Sequence, residues 1–254
     1  MLDRRNLLKL LAAAPAVLLP GRAAAIGPRS RFRISQLRYD GGNWNPRGTG
    51  LRRLAWEVEK RTSVNIDMEP VPVKASSPKL FSHPFLYMGG DKAMAPLSAG
   101  DLQRLNQYLV YGGTLVIDSA DARPGGAFDK SVRRMVSGIF PRTPMKKLKK
   151  DHTLFKSFYL LTRPVGRVAS VPHLEGVSRD GRTMLIYCQN DLAGAWSRDN
   201  FGQWEHSVYP GGDRQRELAI RWGINIVMYA LCVNYKADQV HIPFILKRRR
   251  WQVR

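Results

Sequence analysis

The sequence predicts an α/β fold with a mostly parallel sheet and helices on both faces. Three observations predict it. Segments of two-residue period alternate along the chain with segments of helical period. Two short continuous apolar runs, PFLYMGG at 84–90 and TLVIDSAD at 114–121, read as strands buried on both faces, as parallel strands are. The chain has 254 residues and is 44% hydrophobic, enough for one sizeable core. No repeat and no low-complexity linker divides it.

The elements follow in order. RFRISQLRY at 31–39 alternates and reads as the first strand, and DGGNWNPRGTG after it is a loop of turn residues. Leu51, Leu54, Ala55 and Val58 fall on one helical face. A second strand is expected at 64–71 and a third at 84–90. Ser98 and Asp101 form a capping pattern for a helix that turns Leu102, Leu105 and Leu109 inward. Gly112-Gly113 stops that helix. A strand at 114–121, a short helix at 132–140 and a strand at 182–190 come next. The last long helix is expected at 216–231, with Ile220, Ile224, Val227 and Leu231 on one stripe. His152, Phe155 and Tyr159 also have helical spacing and read as one packed turn. The basic runs at 145–152 and 247–254 read as solvated surface.

The N-terminus carries a different kind of signal. Arg4-Arg5-Asn6-Leu7-Leu8-Lys9 resembles the twin-arginine export motif. The apolar stretch at 7–19 has the length of a signal core and falls short of the roughly 20 residues that span a bilayer. Ala23-Ala24-Ala25 offers a cleavage site. The expected organisation is a signal peptide at 1–25, a single α/β domain at 26–240 and a basic tail at 241–254. The expected location is the periplasm. No later run is long enough for a membrane helix, and the most apolar, at 224–233, reads as a buried helix.

Charge narrows the partners. The net charge is +21, and losing 1–25, with four basic residues against Asp3, leaves +18. So basic a domain is drawn to anionic surfaces. Outside the cytoplasmic membrane these are lipid headgroups and acidic envelope glycan; an exported protein is not expected to meet nucleic acid. Cys188 and Cys232 sit in apolar stretches and read as two buried thiols rather than a disulfide. The chain has no CxxC, no HExxH and no zinc-ligand spacing. No cofactor fingerprint is found, so none is expected.

Open parallel sheets bind ligands beyond the carboxyl ends of their strands. That rule selects Tyr39 and Trp44 after the first strand, Asp91 after the third, and Asp118, Ser119 and Asp121 after the fourth. It also selects Asn190 and Asp191, with Trp196 just beyond, and Arg216 and Glu217 at the start of the last helix. Trp44, Trp196 and Trp204 are candidates for stacking on sugar rings. Asp91, Asp118, Asp121 and Asp191 would offer oxygen ligands to calcium or magnesium; the basic excess predicts that arginines neutralise them instead, so no metal is expected. Arg216 is the expected partner of Asp118 or Asp191, with loop amides as the alternative for Asp118. Catalysis would need Asp118 or Ser119 with His152 in hydrogen-bond reach of Asp118, Ser119 or Asp191.

Two resemblances add to this. The succession strand-Gly-Gly, helix, Gly-Gly-strand-polar turn resembles the class I glutamine amidotransferase-like fold, a flavodoxin-like three-layer arrangement. Its enzymes carry a cysteine at the elbow after the fourth strand. Asp118-Ser119-Ala120-Asp121 stands there, without cysteine and without a G-x-S-x-G elbow. More closely, the chain resembles a bacterial family known as domain of unknown function 4159. The resemblance rests on Tyr39 with Gly41-Gly42 and Trp44, on 84–88 with Gly89, and on Gly112-Gly113 with Asp118. It continues through DHTLFKSFY, Leu174-Glu175-Gly176 with Gly181-Arg182, Asn190-Asp191, and Arg216-Glu217 with Asn225 and Tyr229. Gly90-Asp91 stands where many members have Gly-His, which weakens a histidine-based site. The resemblance implies the amidotransferase-like fold and no activity. The expectation is therefore a non-catalytic ligand-binding or interaction module of the envelope, for example one that binds glycan. The alternative is a hydrolase using the rim carboxylates with His152.

Overall fold

The computed structural model describes residues 31–238, with side chains as far as Cys232. The expected signal peptide and basic tail, including 247–254, lie outside the described residues. In chain order the elements are β1 (Ser35–Leu37), α1 (Gly50–Arg61), β2 (Val71–Val73), β3 (Phe85–Gly90), α2 (Ala99–Val110) and β4 (Thr114–Ser119). Then follow α3 (Ala127–Ile139), β5 (Lys146–Lys147), β6 (Glu175–Arg179), β7 (Arg182–Cys188), α4 (Leu192–Trp196) and α5 (Gly212–Asp238). The strands form one seven-stranded sheet in the order β2-β1-β3-β4-β7-β6-β5. The first five in that order are parallel, while β6 and β5 add an antiparallel edge.

Each central strand feeds two cores. Along β3, Phe85 and Tyr87 face one side and Leu86 and Met88 the other; along β4, Val116 opposes Leu115 and Ile117. Both sides are apolar, which is why these strands read as continuous apolar runs. Leu51, Leu54 and Val58 of α1, Trp196 of α4 and Trp222 and Ile224 of α5 cover one face. Leu105 and Leu109 of α2 and Phe128, Val132 and Met135 of α3 cover the other. Ser98 caps α2 as expected, its Oγ accepting the Asp101 amide at 3.1 Å.

Several elements depart from the sequence reading. The second strand is not at 64–71: only an isolated bridge joins Ile66 to Phe32, and the strand begins at Val71. Asp67, Glu69 and Pro70 intervene, with Asp67 Oδ1 taking the Glu69 amide in a local turn. Helix α3 begins at Ala127, five residues before the expected start. The hairpin of β6 and β7 was not anticipated, although Asp180-Gly181 marks it. Both residues have positive φ, 52° and 77°, the requirement of a type I′ turn. The packed turn read at His152 and Phe155 is a 3-10 turn, Thr153–Lys156, capped by His152, and Phe155 packs edge-on against Trp222 at 5.0 Å. Cys188 is a buried free thiol, but Cys232 is exposed on α5, so the expectation of two buried thiols holds for one. Among the described residues no helix is long and apolar enough to cross a membrane.

Candidate functional site

The carboxyl ends of β3, β4 and β7 converge on two buried carboxylates. Asp118 is the penultimate residue of β4 and has no solvent exposure. Its Oδ1 accepts the Leu192 amide at 2.9 Å, and its Oδ2 accepts the Ala193 amide at 2.8 Å and the Tyr87 hydroxyl at 3.0 Å. Asp118 thus satisfies the first turn of α4, whose amides have no partner within the helix. Burial pushes its pKa up to about 7, and the charge of Asp191 adds to the rise; the two amides and Tyr87 oppose it. Burial raises the Tyr87 hydroxyl well above its ordinary value, with Asp118 contributing.

Asp191 stands at the N-cap of α4 in the left-handed region, φ 56°, which aspartate tolerates better than most residues. It accepts the Gly194 amide at 3.0 Å. Arg47 grips it with Nε at 3.0 Å and Nη2 at 2.6 Å, and Arg167 Nε adds a further short contact. Burial works against the Arg47 charge, but the bonds to Asp191 outweigh it and raise the pKa. Arg47 also donates to the Ala120 carbonyl at 3.2 Å and meets His206 Nε2 at 3.0 Å. Burial lowers the His206 pKa and Arg47 lowers it further, so a neutral ring with Nε2 as acceptor fits this contact. One guanidinium therefore ties together the loops after β1, β4 and β7.

The remaining rim residues divide into two groups. Tyr39 Oη lies 2.8 Å from the Gly89 carbonyl and 2.9 Å from that of Asn43. Asp91 Oδ2 accepts Asn43 Nδ2 at 3.0 Å, while its Oδ1 is shielded from solvent without a partner. Gly90 must be glycine here, because a Cβ would lie 2.0 Å from the Phe128 ring and 2.5 Å from Tyr39 Oη. Trp44 is partly buried, with Arg38 5.8 Å from its ring centre. Ser119 is fully buried and its hydroxyl is bound to Asp121. These residues come together as expected.

Other expected members do not join them. Trp196 is 1% exposed, packs in the core and donates Nε1 to the Ala219 carbonyl at 2.9 Å, so it cannot stack on a ligand. Asn190 is also internal: its amide clasps the Val171 backbone and the Pro164 carbonyl. Arg216 donates to the carbonyls of Ala195 and His206, not to Asp118 or Asp191. Glu217 pairs with Arg61 and Arg221 along α1 and α5. His152 has both ring nitrogens engaged, Nε2 with Thr183 Oγ1 at 2.8 Å and Nδ1 with the Leu154 amide. Thr183 lies near the start of β7 and Asp118 pairs with Cys188 at its end. Five residues of strand, about 16 Å, separate the two ends. The contact that the hydrolase alternative requires, His152 within reach of Asp118, Ser119 or Asp191, is not formed.

Sequence reasoning missed Arg47, Arg167, His206 and Tyr87. Arg47 sat in the loop already assigned to the rim and could have been paired with Asp191. Arg167 lies in an aperiodic segment that carries no local signal.

Fold and site define an α/β protein whose two buried rim carboxylates, Asp118 and Asp191, are committed to backbone amides, a tyrosine hydroxyl and arginines. The chain belongs to the family described as domain of unknown function (DUF4159), whose model matches residues 33–231. No curated protein matches it.

Proposed function

We propose that the protein is a non-catalytic binding module of the cell envelope that recognises acidic glycan. The observation that carries this reading is the elbow after β4. Ser119 is buried and bound to Asp121, no histidine among the described residues contacts it, and both Asp118 oxygens already accept hydrogen bonds. A nucleophile needs a base within reach and a path to substrate, and this elbow favours neither. The partly exposed groups of the ion network are cationic, Arg47 and Arg167. The charge of +18 left after loss of 1–25 adds a long-range attraction for polyanions.

The parallel order β2-β1-β3-β4-β7 supports the flavodoxin-like, amidotransferase-like arrangement. In such sheets ligands sit where the chain reverses direction, between β1 and β3 here, beside Tyr39, Asn43 and Asp91. The Arg4-Arg5 motif supports export by the twin-arginine route to the periplasm. Replacing Arg4 and Arg5 together by lysine is expected to leave the precursor in the cytoplasm on fractionation. Normal accumulation of that variant in the periplasm would overturn the route. Acidic polysaccharide is expected to retain the purified protein more strongly than vesicles of anionic lipid. The reverse order would turn the reading toward the membrane surface.

A further inference from the structure

We propose that the pocket between α1 and the 198–204 loop holds a carboxylate-bearing sugar residue. This goes beyond the acidic-glycan reading, adding a contact away from the crevice between β1 and β3, and it rests on that reading. The pocket measures about 340 Å³ and is walled by Arg52, Arg53 and Trp56 of α1, by Met68, and by Arg198 and Asn200 of the loop.

One of its arginines, Arg198, is left without an ion pair among the described residues. Arg52 pairs with Glu69, and Arg53 with Glu57. Among the described residues no carboxylate pairs with Arg198; its guanidinium lies 3.8 Å from the ring centre of Trp204. Asp199 also lines the pocket and keeps its charge; one of its oxygens is engaged by the amides of Phe201 and Gln203, and among the described residues it forms no ion pair with Arg198. The Nε atoms of Arg53 and Arg198 are shielded from solvent and have no hydrogen-bond partner. Burial lowers the Arg53 pKa, and the Arg198 and Arg61 charges lower it further against the pull of Glu57. An anion entering the pocket would relieve this crowding.

The indoles set the geometry. Trp204 carries Arg198 on its ring and Arg216 at 4.2 Å, while Trp56 carries Arg53 at 4.0 Å and Lys60 at 4.5 Å. A stacked guanidinium is held flat and keeps its N–H edge for a ligand. That edge matches a carboxylate or phosphate with two parallel hydrogen bonds. The volume distinguishes a sugar acid from a bare anion: ligand pockets begin at about 300 Å³, far more than one carboxylate fills. Asn200 offers an amide to ring hydroxyls, and Met68 and Trp56 offer apolar surface to the C–H groups of a sugar.

Titration calorimetry at low salt tests the proposal, with trigalacturonate, maltotriose and inorganic phosphate as probes. Trigalacturonate is expected to bind, phosphate to bind more weakly and compete, and maltotriose not to bind. Arg198→Gln is expected to weaken trigalacturonate by about tenfold, the loss of one charge-assisted contact. Arg52→Gln, on an exposed side chain that does not support the fold, is expected to weaken it less but measurably. Arg179→Gln, at the β6–β7 turn, is the control and should change nothing. If the wild type binds and both pocket variants bind equally well, the pocket is wrong while the glycan reading stands. Phosphate binding as tightly as trigalacturonate would overturn the sugar. A wild type that binds neither trigalacturonate nor acidic polysaccharide overturns both proposals.

Discussion

Asp191→Ala is expected to lower the free energy of unfolding by about 3–5 kcal/mol, the usual cost of removing one partner from a buried ion pair. Asp191 is fully buried, whereas Arg47 and Arg167 keep side-chain exposures of 17% and 27%. The variant leaves both guanidiniums without their shared acceptor. It also removes the cap on Gly194 and puts alanine at φ 56°. Asp191→Asn keeps a side-chain oxygen for the cap and a residue that tolerates the left-handed region, so it should recover part of the loss. Urea unfolding of the three proteins checks this. An alanine variant within about 1 kcal/mol of wild type, the scale of an exposed pair, would show that the network is not structural.

The second large effect is at Asp118. Asp118→Ala leaves two buried amides and the Tyr87 hydroxyl without an acceptor. Each unsatisfied group costs about 1–3 kcal/mol, so a total loss of about 3 kcal/mol or more is expected. Its pH dependence has a definite sign. Burial raises the folded pKa of Asp118 to about 7, above its ordinary value of 3.8. The folded state therefore holds the proton more tightly than the unfolded chain. The contribution of Asp118 is largest below pH 3.8 and is lost as pH rises through about 7. The stability gap between wild type and Asp118→Ala should accordingly be wider at low pH and narrow toward pH 7. A gap that widens instead would mean that Arg47 and the amides hold Asp118 ionised. Ser119→Ala should cost only about 1 kcal/mol, because it removes one hydroxyl donor.

The central strands β3, β4 and β7 were legible because both their faces are apolar, and α2 because its cap and its glycine stop are local. The hairpin of β6 and β7 was missed despite Asp180-Gly181, since its first strand, β6, is short and carries Glu175, Ser178 and Arg179. The strand at 71–73 was misplaced because Val64 and Ile66 alternate as well as Val71 and Val73 do; only pairing with β1 decides between them. The strand-end rule selected Tyr39, Asp91, Asp118 and Ser119, which the structure places at or just beyond the carboxyl ends of β1, β3 and β4. The rim's partners did not follow. Asp191 is bound by arginines 144 and 24 residues away, and no sequence spacing encodes such contacts. Trp196 failed for a related reason: a short helix after β7 carries it inward, and nothing in its neighbourhood announced that helix.

The proposed module binds acidic glycan through charge and does not cleave it. The most direct measurement is retention of the purified protein on polygalacturonate across a salt series, with the chain length of the polymer followed in the same samples. Strong retention is expected near 0.01 M salt, where charges act over about 30 Å, and loss of retention toward 1 M, where they act over about 3 Å. The polymer should keep its length throughout. Retention that ignores salt, absence of retention at low salt, or a shortened polymer would contradict the account.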